Sequence, residues 1–223
     1  MQKDIFRMQK ENPREKIENL ISPYSRVLMT DVVNKGYYLA NKASKDLAFI
    51  SEQQEEEKDL LARMKSAAIK FYMEQYCDKG ILPFEYKIKP NDTKNHDYLL
   101  IYDGEKSFRL TINQCKSLNN PAVPSGYRNK ENKNFQSYFD FDSNEFKTSD
   151  SDESSLYLEL DHGYQSKQPM FIGLGIPRNN KSWYGVIDLV KETPVLRRKF
   201  STKPVDIKGF DIDAFKEFIS NKG

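Results

Sequence analysis

The sequence predicts an α+β fold: an N-terminal helical layer, an antiparallel sheet running as a meander, and a C-terminal helix that docks back onto them. Three observations lead there. Apolar residues recur at helical spacing through residues 1–80, the period shifts towards two from residue 81, and a capped apolar stretch closes the chain. Residues 1–80 therefore read as a helical segment and 81–223 as a β-rich segment with its terminal helix, together one unit.

Each element has its own signal. Asn12 precedes Pro13 and Glu15, a cap followed by Pro at the first helical position, and Ile17, Leu20 and Ile21 supply the apolar stripe of a short helix that should end near Ser22 and Pro23. Thr30 and Asp31 offer a cap for a second helix with Val33, Tyr37, Ala40, Leu47 and Ala48 on one side, Gly36 weakening its early turns. A third follows from Leu60, Leu61, Met64, Ala67, Ala68, Phe71 and Tyr72; Glu55, Glu56 and Glu57 favour the positive end of its dipole, and Lys79 and Gly80 should stop it. Strands are expected at 84–88, 97–102, 107–112, 137–141, 156–162, 170–176 and 183–189, with Asp103 and Gly104 as a hairpin turn in which Gly takes a positive φ. No helical pattern separates these strands, which favours antiparallel neighbours over parallel units. Residues 143–155, rich in Ser and Asp, form an excursion between strands. Asp211 can cap the last helix, with Phe210 packing on Phe215 and with Phe218 and Ile219 continuing the stripe.

Composition excludes several classes. A mean hydropathy of -0.77 and apolar runs of only a few residues leave nothing near the roughly 20 residues that cross a bilayer, so no membrane partner is expected. The first residues lack the apolar block of a secretory signal, and two thiols, Cys77 and Cys115, suit a reducing compartment, so a cytoplasmic location is expected. Neither CxxC nor HxxxH occurs, which argues against zinc; no phosphate-binding glycine loop occurs either, and Gly173 and Gly175 lie inside a strand instead of a strand-to-helix turn. No cofactor is expected.

Three constellations remain. Glu-x-Lys on a strand, with another acid, can bind Mg2+ and orient water in nucleases. Four matches occur, against about two expected by chance from 16 Glu and 26 Lys, and only Glu85/Lys87 lies on a strand, with Asp97 or Asp103 to complete the site. Alternatively, Glu159 and Asp161 share a strand face with Asp188 and Tyr184 over a floor lowered by Gly173 and Gly175, with room for a metal, a ligand or another backbone, while Leu156, Leu158, Leu160, Met170, Ile172, Leu174 and Ile176 face the core. Last, charge is segregated: net +3 over 81–135, -7 over 136–163 and +5 over 164–223 in a chain of net +2.

That segregation carries the leading expectation. Lys106, Arg109, Lys116, Tyr127, Arg128, Lys130 and Lys133 interleave with Phe108, Phe135, Tyr138 and a dense set of Asn, and Arg197, Arg198 and Lys199 form a second basic cluster before the last helix. Cations contact phosphates and rings stack on bases. The expected function is a non-enzymatic binding protein, regulatory or inhibitory, that contacts nucleic acid or a nucleic-acid-handling protein through this surface. The Glu-x-Lys nuclease and a protein-interaction module acting through the acidic excursion are the alternatives.

Overall fold

The computed structural model describes residues 12–45, 55–94, 96–132, 138–140, 145–147, 155–179, 181–200 and 212–220. Helix α1 (Pro13–Leu20) begins as its cap predicts: Asn12 Oδ1 accepts the Arg14 amide at 3.0 Å, with Pro13 at the first position. Helix α2 (Pro23–Lys45) starts earlier than expected, because Ser22 and Pro23 are a start signal and not a stop: Ser22 Oγ accepts the Ser25 amide at 3.1 Å. Thr30 and Asp31, expected as its cap, lie buried inside it. Helix α3 (Glu55–Asp78) ends where Gly80 takes φ 64, the left-handed conformation glycine accepts without a Cβ clash.

Six strands form one mixed sheet. β1 (Glu85–Pro90), β2 (Asp97–Tyr102) and β3 (Phe108–Cys115) run antiparallel; β6 (Leu156–Gly163) then lies parallel to β3, and β7 (Ile172–Asn179) and β8 (Ser182–Asp188) complete the order β1-β2-β3-β6-β7-β8. The expected all-antiparallel meander is thus corrected at its centre. The chain leaves the sheet at Cys115 and returns at Leu156, a connection long enough to bring the next strand back in the same direction. That connection carries α4 (Gly126–Glu131) and a separate hairpin of β4 (Tyr138–Asp140) and β5 (Glu145–Lys147). Two helices follow the sheet, α5 (Leu189–Phe200) and α6 (Ile212–Ser220). The cluster of Arg197, Arg198 and Lys199 therefore belongs to a helix, although Pro194 inside it reads as a breaker. The expected Phe210 and Asp211 staple and cap, and most of the acidic excursion, lie outside the described residues.

The turn into β3 also differs from expectation. Lys106, not Gly104, has the positive φ, 55, and Asp103 builds the turn with its side chain, accepting the Ser107 amide at 2.6 Å and the Ser107 hydroxyl.

Alternation divides the sheet into two faces. Leu99, Ile101, Phe108, Leu110, Leu158, Leu160, Ile172, Leu174, Ile176 and Ile187 form one buried cluster with Ile17, Ile21, Leu28, Tyr37, Ile69, Phe71 and Phe215 of the helices. Phe215 and Phe218 of α6 dock on Phe71 at ring separations of 5.6 and 5.2 Å. Met170, expected in this core, precedes β7 and is 71% exposed. Among the described residues no helix is long and apolar enough to cross a membrane.

Candidate functional site

The second face of the sheet carries Tyr98, Leu100 and Tyr102 of β2, Arg109, Thr111, Asn113 and Cys115 of β3, and Tyr157, Glu159 and Asp161 of β6. An outward polar face on a one-sided sheet is ordinarily wet, yet Glu159 and Asp161 are buried. Residues 116–132 fold over them. Arg128 reaches down to Glu159 with two guanidinium nitrogens, Nη2 at 2.6 and 2.7 Å and Nε at 3.0 Å. Asp161 accepts the Ala122 amide, the Asn113 side chain and the Cys115 thiol, each at 3.0 Å. Tyr127 stacks on Tyr98 with centroids 4.1 Å apart, and its hydroxyl donates to Asn113.

Burial and the neighbouring Asp161 push the Glu159 carboxyl up to about 7; burial also raises Asp161, and the two titrate as a unit. Burial beside Asp161 raises the Cys115 thiol far out of the nucleophilic range. His162 faces the opposite side of the sheet, where its Nδ1 meets the Tyr37 hydroxyl at 2.9 Å, and burial lowers it to about 3. No Cys-His pair forms between Cys115 and His162.

The glycine floor beside Glu159 and Asp161 is therefore filled by the chain itself. Leu118 lies against Gly173, Trp183 packs on Gly175, and the Trp183 indole donates to the Leu118 carbonyl at 2.9 Å. Asp188, opposite Gly173 in the register, caps α5 by accepting the Val190 amide at 3.1 Å. Of the three occupants the sequence allowed, another stretch of backbone is the one present. Among the described residues no three His, Cys, Asp or Glu side chains stand together as a metal site.

The cover stops short of the β1 end of this face. There a cleft of about 160 Å³ opens, lined by Lys87, Lys89, Leu100, Tyr102, Lys106, Arg109 and Ser155. Strand periodicity sets its walls: Lys87 and Lys89 alternate along β1 and register with Leu100 and Tyr98. Glu131, at the end of α4, clasps the inner wall; its Oε2 accepts Arg109 Nη1 at 2.7 Å, and its Oε1 accepts Lys89 at 3.3 Å and Tyr98 at 3.2 Å. Lys87 lies 5.6 Å from the Tyr102 ring centre, and Glu85 stands beside the Tyr102 hydroxyl. Four cations face two carboxylates, Glu131 and Glu85, an excess of two. Among the described residues none forms an ion pair with Lys87 or Lys106.

Lys106 and Arg109, expected in a nucleic-acid surface, thus meet in the cleft, and Lys87 joins them from a different expectation. Other members of that surface do not. Arg128 is sealed beneath the cover, its side chain 3% exposed; Tyr127 is spent on Tyr98 and Asn113; Lys130 pairs with Asp92; Lys116 is exposed on the cover; Lys133 lies outside the described residues. Arg197 binds Asp31 of α2, which places the α5 cluster with Arg198 and Lys199 in the helical layer, across the sheet from the cleft. The Glu-x-Lys set also comes apart. Glu85 registers with Tyr102 and Asp97 with Pro90, five residues or roughly 17 Å along the hairpin, and both oxygens of Asp103 hold Ser107. Lys89, Tyr102, Ser155 and the Glu131 clasp were missed. Period-two alternation from Lys87 already pointed to Lys89, whereas Ser155 and Glu131 arrive through the fold alone.

No protein-family model, curated protein or solved structure matches this chain.

Proposed function

We propose that this chain is a non-enzymatic binding protein, regulatory or inhibitory in kind, that contacts nucleic acid through the cleft of Lys87, Lys89, Lys106 and Arg109. One observation carries the reading: two lysines without ion-pair partners stand beside a clamped arginine on a rigid sheet face. Cations held in place in this way release counterions from a phosphate backbone when they bind it, which makes affinity steeply dependent on salt. The Glu-x-Lys set lacks a comparable geometry, since Glu85 and Asp97 stand at opposite ends of the β1–β2 pair.

Fluorescence anisotropy with hydroxyl-ended single- and double-stranded DNA and RNA, from low to physiological salt, tests it. Binding should weaken as salt rises. Reversing Lys87 and Lys106 to Glu together should lower affinity about tenfold or more and flatten the salt slope, whereas reversing Arg198 and Lys199 on the far side should change neither. Wild-type affinity in the double reversal K87E/K106E removes the reading.

A further inference from the structure

The sheet ends on one side at β1, and the direction of its peptide groups fixes what that edge offers. The Asn91 amide donates to the His96 carbonyl at 2.8 Å, so residue 91 turns its N–H towards the β2 side of the hairpin. Antiparallel pairing alternates from there. Residues 89, 87 and 85, opposite Tyr98, Leu100 and Tyr102, bond to β2, while Tyr86 and Ile88 turn N–H and C=O outward. Among the described residues β1 pairs with β2 alone, and no other backbone group bonds to Tyr86 or Ile88. The edge lies at the surface: Lys87 is exposed, and so is Ile88, by 44%. Pro90, which has no N–H, stands at an outward position where it costs β2 no bond.

The two faces of this edge differ in chemistry. Lys87 and Lys89 line the cleft with Lys106 and Arg109. Tyr86 and Ile88 alternate to the helical side, where the Tyr86 hydroxyl donates to Asp78 of α3 at 3.0 Å. A strand laid about 4.8 Å outside β1 would therefore set alternate side chains beside Lys87 and Lys89 and the others beside Ile88. The residue opposite Lys87 falls at a non-hydrogen-bonded pair, where side chains stand closest. Lys87 has no ion pair among the described residues, so its complement is a carboxylate. The complement of Ile88 is apolar. A second copy of β1 matches poorly, because the registers centred on Lys87 and on Ile88 set Lys87 against Lys87 or Lys89, the like-charge guard of edge strands.

We propose that the β1 edge takes a partner protein by strand addition: an extended segment alternating acidic and apolar residues, bonded through Tyr86 and Ile88 with a carboxylate beside Lys87. This goes beyond nucleic-acid contact, because main-chain pairing supplies the affinity and the added carboxylate would exclude a phosphate backbone from Lys87.

Anisotropy of the full chain with a labelled octapeptide of alternating Glu and Val tests it. Binding is expected, and it should weaken about tenfold when the valines are N-methylated, since their N–H groups face Tyr86 and Ile88. N-methylation of the glutamates, whose N–H groups face away, should change it little. A block of four Glu followed by four Val, equal in charge, should also bind about tenfold more weakly. On the protein, Ile88→Pro removes an outward N–H and leaves the β2 bonds of residues 87 and 89 in place; it should abolish the preference for the alternating peptide with the cleft cations untouched. The N-methyl pair needs no variant to fold. Equal affinity for alternating and block peptides, or equal loss from either N-methylation, overturns strand addition. Peptide pairing in a chain that binds no oligonucleotide supports the edge and overturns the nucleic-acid reading, whereas oligonucleotide binding without peptide pairing overturns the edge alone. A dimer that dissociates in Ile88→Pro while no peptide binds assigns the edge to a second copy and overturns the proposal as well.

Discussion

At Lys106 a single backbone angle sets stability against a surface charge. Its φ of 55 places Cβ close to a carbonyl, a cost of about 1 kcal/mol that glycine escapes. The turn is held against that cost by Asp103, whose carboxylate accepts the Ser107 amide and hydroxyl. Lys106→Gly is therefore expected to raise the unfolding free energy by about 0.5 kcal/mol at most in urea titration, after the entropy glycine adds to the unfolded chain is subtracted, even as polyanion affinity falls. A loss of stability would show that the lysine side chain holds the turn. Arg128 makes the opposite case: a cation that reads as surface in the sequence is buried on Glu159, where its charge offsets a carboxylate already out of water.

Among the elements, the crossing of α2 and α3 is set by one glycine. A Cβ at Gly36 would stand 2.8 Å from the Ile69 nitrogen and 2.9 Å from its Cα, backbone atoms that no rotamer change can move. Gly36 looks like a weakness when the helix is read alone, since alanine would favour it by about 1 kcal/mol. Packing reverses the sign: Gly36→Ala is expected to destabilise by about 1–2 kcal/mol net, with overpacking larger than the gain in propensity. Equal or greater stability in that variant would mean that the helices separate at little cost. Segment 116–132 acts as an element too, although only six of its residues are helical. Its lower surface, with Leu118 on Gly173 and Arg128 on Glu159, closes most of the second sheet face, and its end at Glu131 forms the inner wall of the cleft.

For the whole molecule, two buried titrations oppose each other. Glu159 is raised from 4.5 to about 7, so between those values the folded chain holds a proton that the unfolded chain has lost, and stability falls as pH rises through that window. His162 is lowered from 6.5 to about 3, so between those values the unfolded chain binds the extra proton and stability falls as pH drops. The Glu159–Asp161 pair, in which Asp161 is raised in the same sense, therefore opposes His162 as pH falls below 6.5. Thermal unfolding followed against pH is expected to lose stability less steeply on acidification below 6.5 in the wild type than in Glu159→Gln, where one of the protons opposing His162 is gone. A flat profile in that variant would show that His162 takes up its proton within the fold. Much of the architecture was legible beforehand. β2 begins and ends at the expected residues, and β6 extends only one residue further, because alternating apolar residues bury one face whatever lies on the other. Arg109 and Lys106 were legible as candidates through their charge beside aromatic residues, Arg109 on β3 and Lys106 in the turn before it, whereas the equally charged Glu159 and Asp161 of β6 are buried. The α5 helix was not, since Pro194 masks its period, and neither was the parallel pairing of β3 with β6, which depends on where a long connection returns. Local periodicity and capping are properties of neighbouring residues, so the chain alone specifies most of its helices and strands and the inner face of its sheet, though not α4 or α5. Which cations stay free depends on carboxylates far along the chain. Glu131, Glu159 and Asp31 find Arg109, Arg128 and Arg197 only after folding, because an ion pair is made by distance in space and not by spacing along the backbone.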